Sequence, residues 1–135
     1  MENNKTGSLD TNILLRLVLN DVPEQMIAIK KLFEHCDTFH VSDIVIFEIV
    51  FILDKYYEFS RADICESIQT IIRHYKVICN RRLFELTLPL YIEHPKLSIV
   101  DCALTQYAEL NDTAPLYTFD KELAKNCSRT AILLT

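Results

Sequence analysis

Apolar positions along the chain fall into runs with helical spacing, set off by short stretches that open on capping residues. Between Asp10 and Asn20, Ile13, Leu14, Leu17 and Val18 recur three and four apart, which gives one apolar helix face. Asp21 is expected to cap a second helix, with Pro23 in its first turn and Glu24 three residues on, making a helical hairpin. Ser42 opens a strongly apolar helix expected to run to about residue 57, and Ser60 with Asp63 forms a capping pattern for a helix to about 75. Asn80 is placed to cap a helix carrying Leu83, Leu86, Leu90 and Tyr91 that stops before Pro95. Ser98 starts another, ending near Leu110, and Asp120 starts a short one ending near Asn126.

Short apolar stretches between these helices predict strands at residues 38–41, 76–79, 116–119 and 130–134. A first strand is placed at residues 5–9, although Lys5, Thr6, Gly7 and Ser8 are poor strand formers and only Leu9 is apolar. Strands alternating with helices imply an α/β fold, with a central parallel sheet covered by helices on both faces.

Composition narrows this picture. The 135 residues are half hydrophobic and 24% charged, as expected for a single domain over residues 1–135 that buries roughly two-thirds of its unfolded surface. One Gly and 4 Pro leave little turn chemistry for a sandwich or barrel. The formal charge of -5 excludes a general basic field, so a polyanionic substrate requires a local patch or a bound cation. The polar lead from Met1 to Ser8 reads as neither signal peptide nor anchor. The densest apolar run, residues 44–53, is far short of the roughly 20 needed to span a bilayer. Five widely spaced cysteines without a C-x-x-C pattern read as buried thiols in a reducing cytoplasm.

Chemistry is suggested by acids at element boundaries. Asp10 ends the first strand, Asp101 lies in the first turn of the helix opened by Ser98, and Asp120 follows the strand at 116–119. In an open parallel sheet, ligands collect beyond the carboxyl ends of the strands, where these residues would meet. Each is also an ordinary helix cap when taken singly. Glu48 differs, because Ile44–Phe47 precede it and Ile49–Ile52 follow, so its surroundings are expected to be apolar whichever way it points. A buried carboxylate needs a partner, and a cluster of acids suits a hard cation such as Mg²⁺ or Mn²⁺. The most basic stretch holds Arg73, His74, Lys76, Arg81 and Arg82 with Tyr75 among them and Arg61 upstream. It reads as an RNA-backbone contact or, alternatively, as cations at helix ends.

Asp10-Thr11-Asn12, Glu48 in its apolar helix, Ser98-Ile99-Val100-Asp101 and Leu116-Tyr117-Thr118-Phe119-Asp120-Lys121 together, in this order, resemble the PIN domain family, and within it the small VapC-like toxins. The resemblance implies a three-layer α/β/α fold with a central parallel sheet. It further implies an acidic quartet of Asp10, Glu48, Asp101 and Asp120 that binds Mg²⁺ or Mn²⁺ and hydrolyses RNA phosphodiesters. Asn12 and Thr118 match polar residues that support the acids or hold substrate phosphate, and Lys121 is a candidate for orienting substrate. Homodimers are common among such proteins, and the toxins are restrained by a small antitoxin protein. The alternatives are a non-catalytic PIN-like binding or scaffold module and, ranked lower, a receiver-like phosphoacceptor, which would normally carry an acidic pair where Asp10 is followed by Thr11 and Asn12.

Overall fold

A computed structural model describes residues 5–135, so the polar lead at residues 1–4 lies outside the described residues. The chain divides into two compact units, one ending at Arg81 and the other running from Arg82 to Thr135.

The first unit is built as β1(Thr6–Ser8), α1(Thr11–Leu19), α2(Pro23–His35), β2(Thr38–His40), α3(Asp43–Lys55), α4(Arg61–Ile72) and β3(Val77–Ile78). Its strands pair in the order β1-β2-β3, all parallel, with Ser8 opposite His40 and His40 opposite Ile78. Parallel neighbours cannot be joined by a tight turn, and each crossover here is a pair of helices. β1 forms despite its polar composition because its backbone is held from outside. Leu9 N–H donates to His40 O at 3.0 Å, Asp37 N–H donates to Lys5 O at 2.8 Å, and the Thr38 hydroxyl donates to that of Thr6 at 2.9 Å.

Helix starts follow the capping chemistry of the sequence. The Asp10 side chain accepts from Ile13 N–H, Ser42 from Val45 N–H and Ser60 from Asp63 N–H. The expected cap at Asp21 is corrected. α2 starts one residue later, with Val22 at the cap position and no side-chain cap bond, because Asp21 is drawn to Arg16, 2.7 Å away. Pro23 supplies the fixed φ of a first helical residue and lacks the N–H that such a cap would have to satisfy. Asn20 ends α1 in the left-handed region (φ 49°), a conformation Asn tolerates. α3 stops at Lys55, two residues earlier than expected. The core gathers Leu14, Phe39, Ile46, Ile49, Leu53, Ile64, Ile68 and Ile72, all fully buried, each contributing about 1.5–3 kcal/mol by transfer from water.

The second unit contains α5(Arg81–Glu93, its first residue at the boundary), α6(Ile99–Leu110), β4(Leu116–Thr118), α7(Lys121–Asn126) and β5(Ala131–Leu133). β4 and β5 pair in parallel, Leu116 opposite Ala131. Ser98 and Asp101 form a reciprocal capping box at the start of α6, and Asp120 caps α7 through Leu123 N–H. α5 continues through Pro89, which stands at an exposed position and whose missing N–H costs the helix one backbone bond. Leu83, Phe84, Leu88, Leu97, Cys102, Ala103 and Leu123 form the apolar interior. No helix among the described residues is long and apolar enough to cross a membrane.

Candidate functional site

Three parallel strands bring their carboxyl ends to one edge of the first unit's sheet, and α1 and α3 begin directly after β1 and β2. Asp10 stands at this edge. Its Oδ1 accepts from Ile13 N–H at 3.0 Å, which fixes the carboxylate at the N-terminus of α1, and the side chain is exposed. Asn12 lies in the first turn of the same helix, also exposed.

Glu48 departs from expectation. It is exposed, although apolar residues flank it on both sides in sequence. The reason is the direction in which α3 packs. Ile46, Ile49, Val50 and Leu53 face the core, while Ile44 (75% exposed), Glu48 and Phe51 (52% exposed) share the outward face. Spacing of four and three residues puts these three on one stripe. Its surroundings are apolar only in the sense that two exposed hydrophobic side chains flank it in water.

In the second unit, Asp101 is half-buried and Asp120 exposed. Asp101 Oδ2 accepts from Ser98 N–H at 3.4 Å while Asp101 N–H donates to Ser98 Oγ at 3.1 Å. Asp120 Oδ1 accepts from Leu123 N–H at 3.0 Å, and the Thr118 hydroxyl oxygen accepts from Asp120 N–H at 2.9 Å. Thr118 is thus half-buried and bound to the loop that carries Asp120, and Lys121 is the exposed first residue of α7. The Cys127 thiol lies in this unit, and burial pushes its pKa up from 9.0. A hydrogen bond with Thr105 works the other way, and the nearby carboxylates of Asp101 and Glu109 add to the rise. Glu109 itself accepts from the Thr130 hydroxyl.

Asp10, Asp101 and Asp120 therefore share one local design, each a carboxylate at a helix N-terminus with one oxygen bound to backbone N–H. That leaves an oxygen donor on each side chain, which is the ligand chemistry of Mg²⁺ or Mn²⁺. Glu48 offers a fourth oxygen donor on an exposed face. The donor types fit a hard divalent ion. Among the described residues, no three His, Cys, Asp or Glu side chains stand grouped to hold an ion.

The basic stretch resolves toward helix ends. Lys76 Nζ donates to the carbonyls of Phe33 and Cys36 at the end of α2, the latter at 3.0 Å. Arg81 Nε donates to Ile72 O at 2.6 Å at the end of α4, and its Nη2 to Val77 O at 3.4 Å. These two cations are engaged by the carbonyls that a helix C-terminus leaves unpaired. Tyr75 is 85% exposed and stacks on His74, with ring centroids 4.9 Å apart. None of the five cysteines is in a disulfide; Cys36, Cys65 and Cys102 are buried, Cys79 and Cys127 half-buried.

Two concavities mark the first unit. The larger, about 860 Å³, is an apolar groove between α1, α2 and α4, lined by residues such as Leu17, Met26, Phe33 and Ile71. It contains none of the four acids. The smaller, about 350 Å³, opens at the carboxyl ends of the strands and is lined by Ser8, Leu9, His40, Val41, Ser42, Ile78, Cys79 and Asn80. It adjoins Asp10 through Leu9. Sequence reading singled out none of its polar lining residues for a role in binding, because each is unremarkable until strand pairing brings it beside the others.

Residues 8–128 match the PIN domain. The match takes in every helix from α1 to α7. With seven helices and parallel strands among the described residues, the fold class is mixed α/β, consistent with a three-layer α/β/α architecture. A search of curated proteins gave no match.

Proposed function

Because the chain belongs to the PIN domain family, whose members are generally nucleases and often metal-dependent, we propose that it is an endoribonuclease that requires Mg²⁺ or Mn²⁺ and hydrolyses RNA phosphodiesters. Asp10, Glu48, Asp101 and Asp120 are its metal ligands and catalytic acids in this reading. The observation that carries it is the common placement of three of the four acids. Asp10, Asp101 and Asp120 each stand at a helix N-terminus, held by a backbone N–H and left with oxygen to donate.

The residues of the chain divide the work as follows. Capping bonds restrict the Asp side chains to one rotameric region, which reduces the entropy lost on binding an ion. Glu48 caps no helix and offers its oxygens from an exposed side chain. The divalent ion supplies Lewis acidity toward the phosphoryl group and a nucleophile at neutral pH. Lys121 presents an ammonium to substrate phosphate, and Asn12 presents an amide. Thr118 holds the Asp120 loop through its oxygen and keeps its hydroxyl proton for a phosphate oxygen.

The finer reading is that the protein is a VapC-like toxin, cytoplasmic and homodimeric, restrained by a small antitoxin protein. Its support is the order and separation of the four acidic motifs. The test is RNA cleavage with Mg²⁺ or Mn²⁺ by the native protein beside Asp10→Asn and Asp101→Asn. Metal-dependent cleavage lost in both variants is expected, and equal cleavage by all three ends the reading. A small protein encoded beside the gene that co-purifies and blocks cleavage is expected for the toxin role.

A further inference from the structure

Helices ordinarily cover both faces of a parallel sheet, so an open row of side chains on one is informative. Strand register places Ser8, His40 and Ile78 in a single row across β1, β2 and β3, on one face at their carboxyl ends. All three are exposed, Ile78 at 45%, whereas Leu9 and Val41, one residue on, are buried. The row is one wall of the 350 Å³ cleft, and Ser42 and Asn80 stand at its end.

We propose that this cleft is a subsite for one unstacked nucleotide of the RNA strand, with the base lying against the His40 ring and the Ile78 side chain. The proposal rests on the ribonuclease reading and adds to it a place where sequence is read. Three features carry it. The cleft is at the small end of ligand-pocket volumes, about 300–1,000 Å³, which suits a single nucleotide and is too small for a peptide helix. Its lining combines a flat aromatic ring with an aliphatic neighbour, the chemistry that stacks bases in single-stranded RNA.

Its polar groups also offer both hydrogen-bonding senses. Asn80 Nδ2 donates to Asp43 Oδ2 at 3.4 Å, and the same amide carries an acceptor oxygen. Ser42 Oγ accepts from Val45 N–H at 3.3 Å, which directs its own proton elsewhere. Ser8 adds a second hydroxyl. An amide that both donates and accepts distinguishes one base edge from another, whereas stacking on His40 is tolerant of base identity. A nucleotide seated here lies next to Asp10, since Leu9 forms part of the cleft floor.

The four ribonucleoside 5′-monophosphates, which contain no phosphodiester to cleave, are titrated in turn into the ¹⁵N-labelled full chain in Mg²⁺ buffer and followed by NMR. Expected are saturable shifts at the amides of residues 8–9, 40–42 and 78–80, with one base preferred. His40→Ala should weaken binding about tenfold, the lower range of the stacking contribution per base. His40→Phe should restore it, and Asn80→Ala should flatten the preference among bases. All of these positions are exposed, and circular dichroism confirms that each variant folds. Shifts that avoid the cleft, or none at all, overturn the subsite. So does His40→Ala binding as well as the native chain. Cleavage of RNA without cleft shifts removes the subsite and leaves the nuclease standing; cleft shifts without any cleavage do the reverse.

Discussion

The helix N-termini and the outer face of α3 both present carboxylates, and they hold them in opposite ways. Asp10, Asp101 and Asp120 are each tied to a backbone N–H within their own helix turn, at 3.0, 3.4 and 3.0 Å. Glu48 is mid-helix, exposed, and flanked along its stripe by Ile44 and Phe51. The first group serves the fold and the proposed chemistry at once. The second caps nothing, and an exposed mid-helix Glu contributes helix preference and solubility rather than a fixed contact. A carboxylate that caps nothing can be replaced without touching a helix start, so it separates function from folding more cleanly than one that also caps.

The largest expected effect tests whether both kinds of carboxylate belong to one reaction. Asp10→Asn, Asp101→Asn and Glu48→Gln should each lower metal-dependent RNA cleavage by at least about a hundredfold, the scale of losing one preorganised electrostatic contact. Asn caps α1 about as well as Asp and keeps an acceptor oxygen for Ser98 N–H at position 101, while Glu48 is exposed and caps nothing. Unfolding midpoints of all three variants should therefore stay close to native, and single-turnover cleavage beside urea denaturation checks both halves. Glu48→Gln cleaving at the native rate would separate Glu48 from the capped acids and restrict the reaction to the helix N-termini.

Next in size is a contrast within α3. Ile49, adjacent to Glu48 and fully buried, should cost about 2–5 kcal/mol on truncation to Ala, through lost transfer energy and a residual cavity. Glu48→Ala should change stability by less than about 0.5 kcal/mol, as expected for an exposed position in a good helix. Chemical denaturation of the pair measures the difference directly. Similar losses for both would mean that Glu48 packs against something and that the two faces of α3 are not distinct.

A smaller effect separates capping from charge at Asp120. Asp120→Ala removes the acceptor for Leu123 N–H and should destabilise by about 1 kcal/mol, while Asp120→Asn should be nearly neutral. Both should lose cleavage. If Asp120→Asn retained cleavage, its role would be that of a cap alone.

These contrasts also explain what was legible beforehand. Helix starts at Asp10, Ser42, Ser60, Ser98 and Asp120 were readable because capping is decided within three residues. Asp21 misled because its competitor, the Arg16 guanidinium, lies one helix earlier and wins the carboxylate. The exposure of Glu48 was not readable, since local sequence places apolar residues on every side and only tertiary packing decides which face turns inward. Strand β1 was expected on weak grounds, and its pairing explains why it forms: its polar residues need not supply a core when β2 supplies the hydrogen bonds. The Ser8–His40–Ile78 row was invisible for the same reason, because register joins residues 32 and 38 positions apart. For Lys76 and Arg81 the sequence favours helix ends over phosphate, and which carbonyls they reach is specified by the fold.

The smallest expected effect concerns how firmly the Asp120 loop is held. Thr118 accepts from Asp120 N–H, so the backbone that carries the carboxylate is fixed from the strand side while Leu123 N–H fixes the side chain from the helix side. Thr118→Val keeps the volume and the strand preference of the residue and removes only the acceptor and the hydroxyl proton. One lost hydrogen bond is worth about 0.5–1.5 kcal/mol, and at a half-buried site where water can replace it the lower end applies. Stability should therefore fall by about 0.5 kcal/mol. Cleavage should fall more than that figure converts to, because the hydroxyl proton proposed for substrate phosphate goes with it, and the loss should appear in KM for RNA rather than in kcat. A variant with native KM would assign Thr118 to the loop alone, and a fall in kcat with KM unchanged would show that the position of Asp120, once its backbone is released, controls the chemical step.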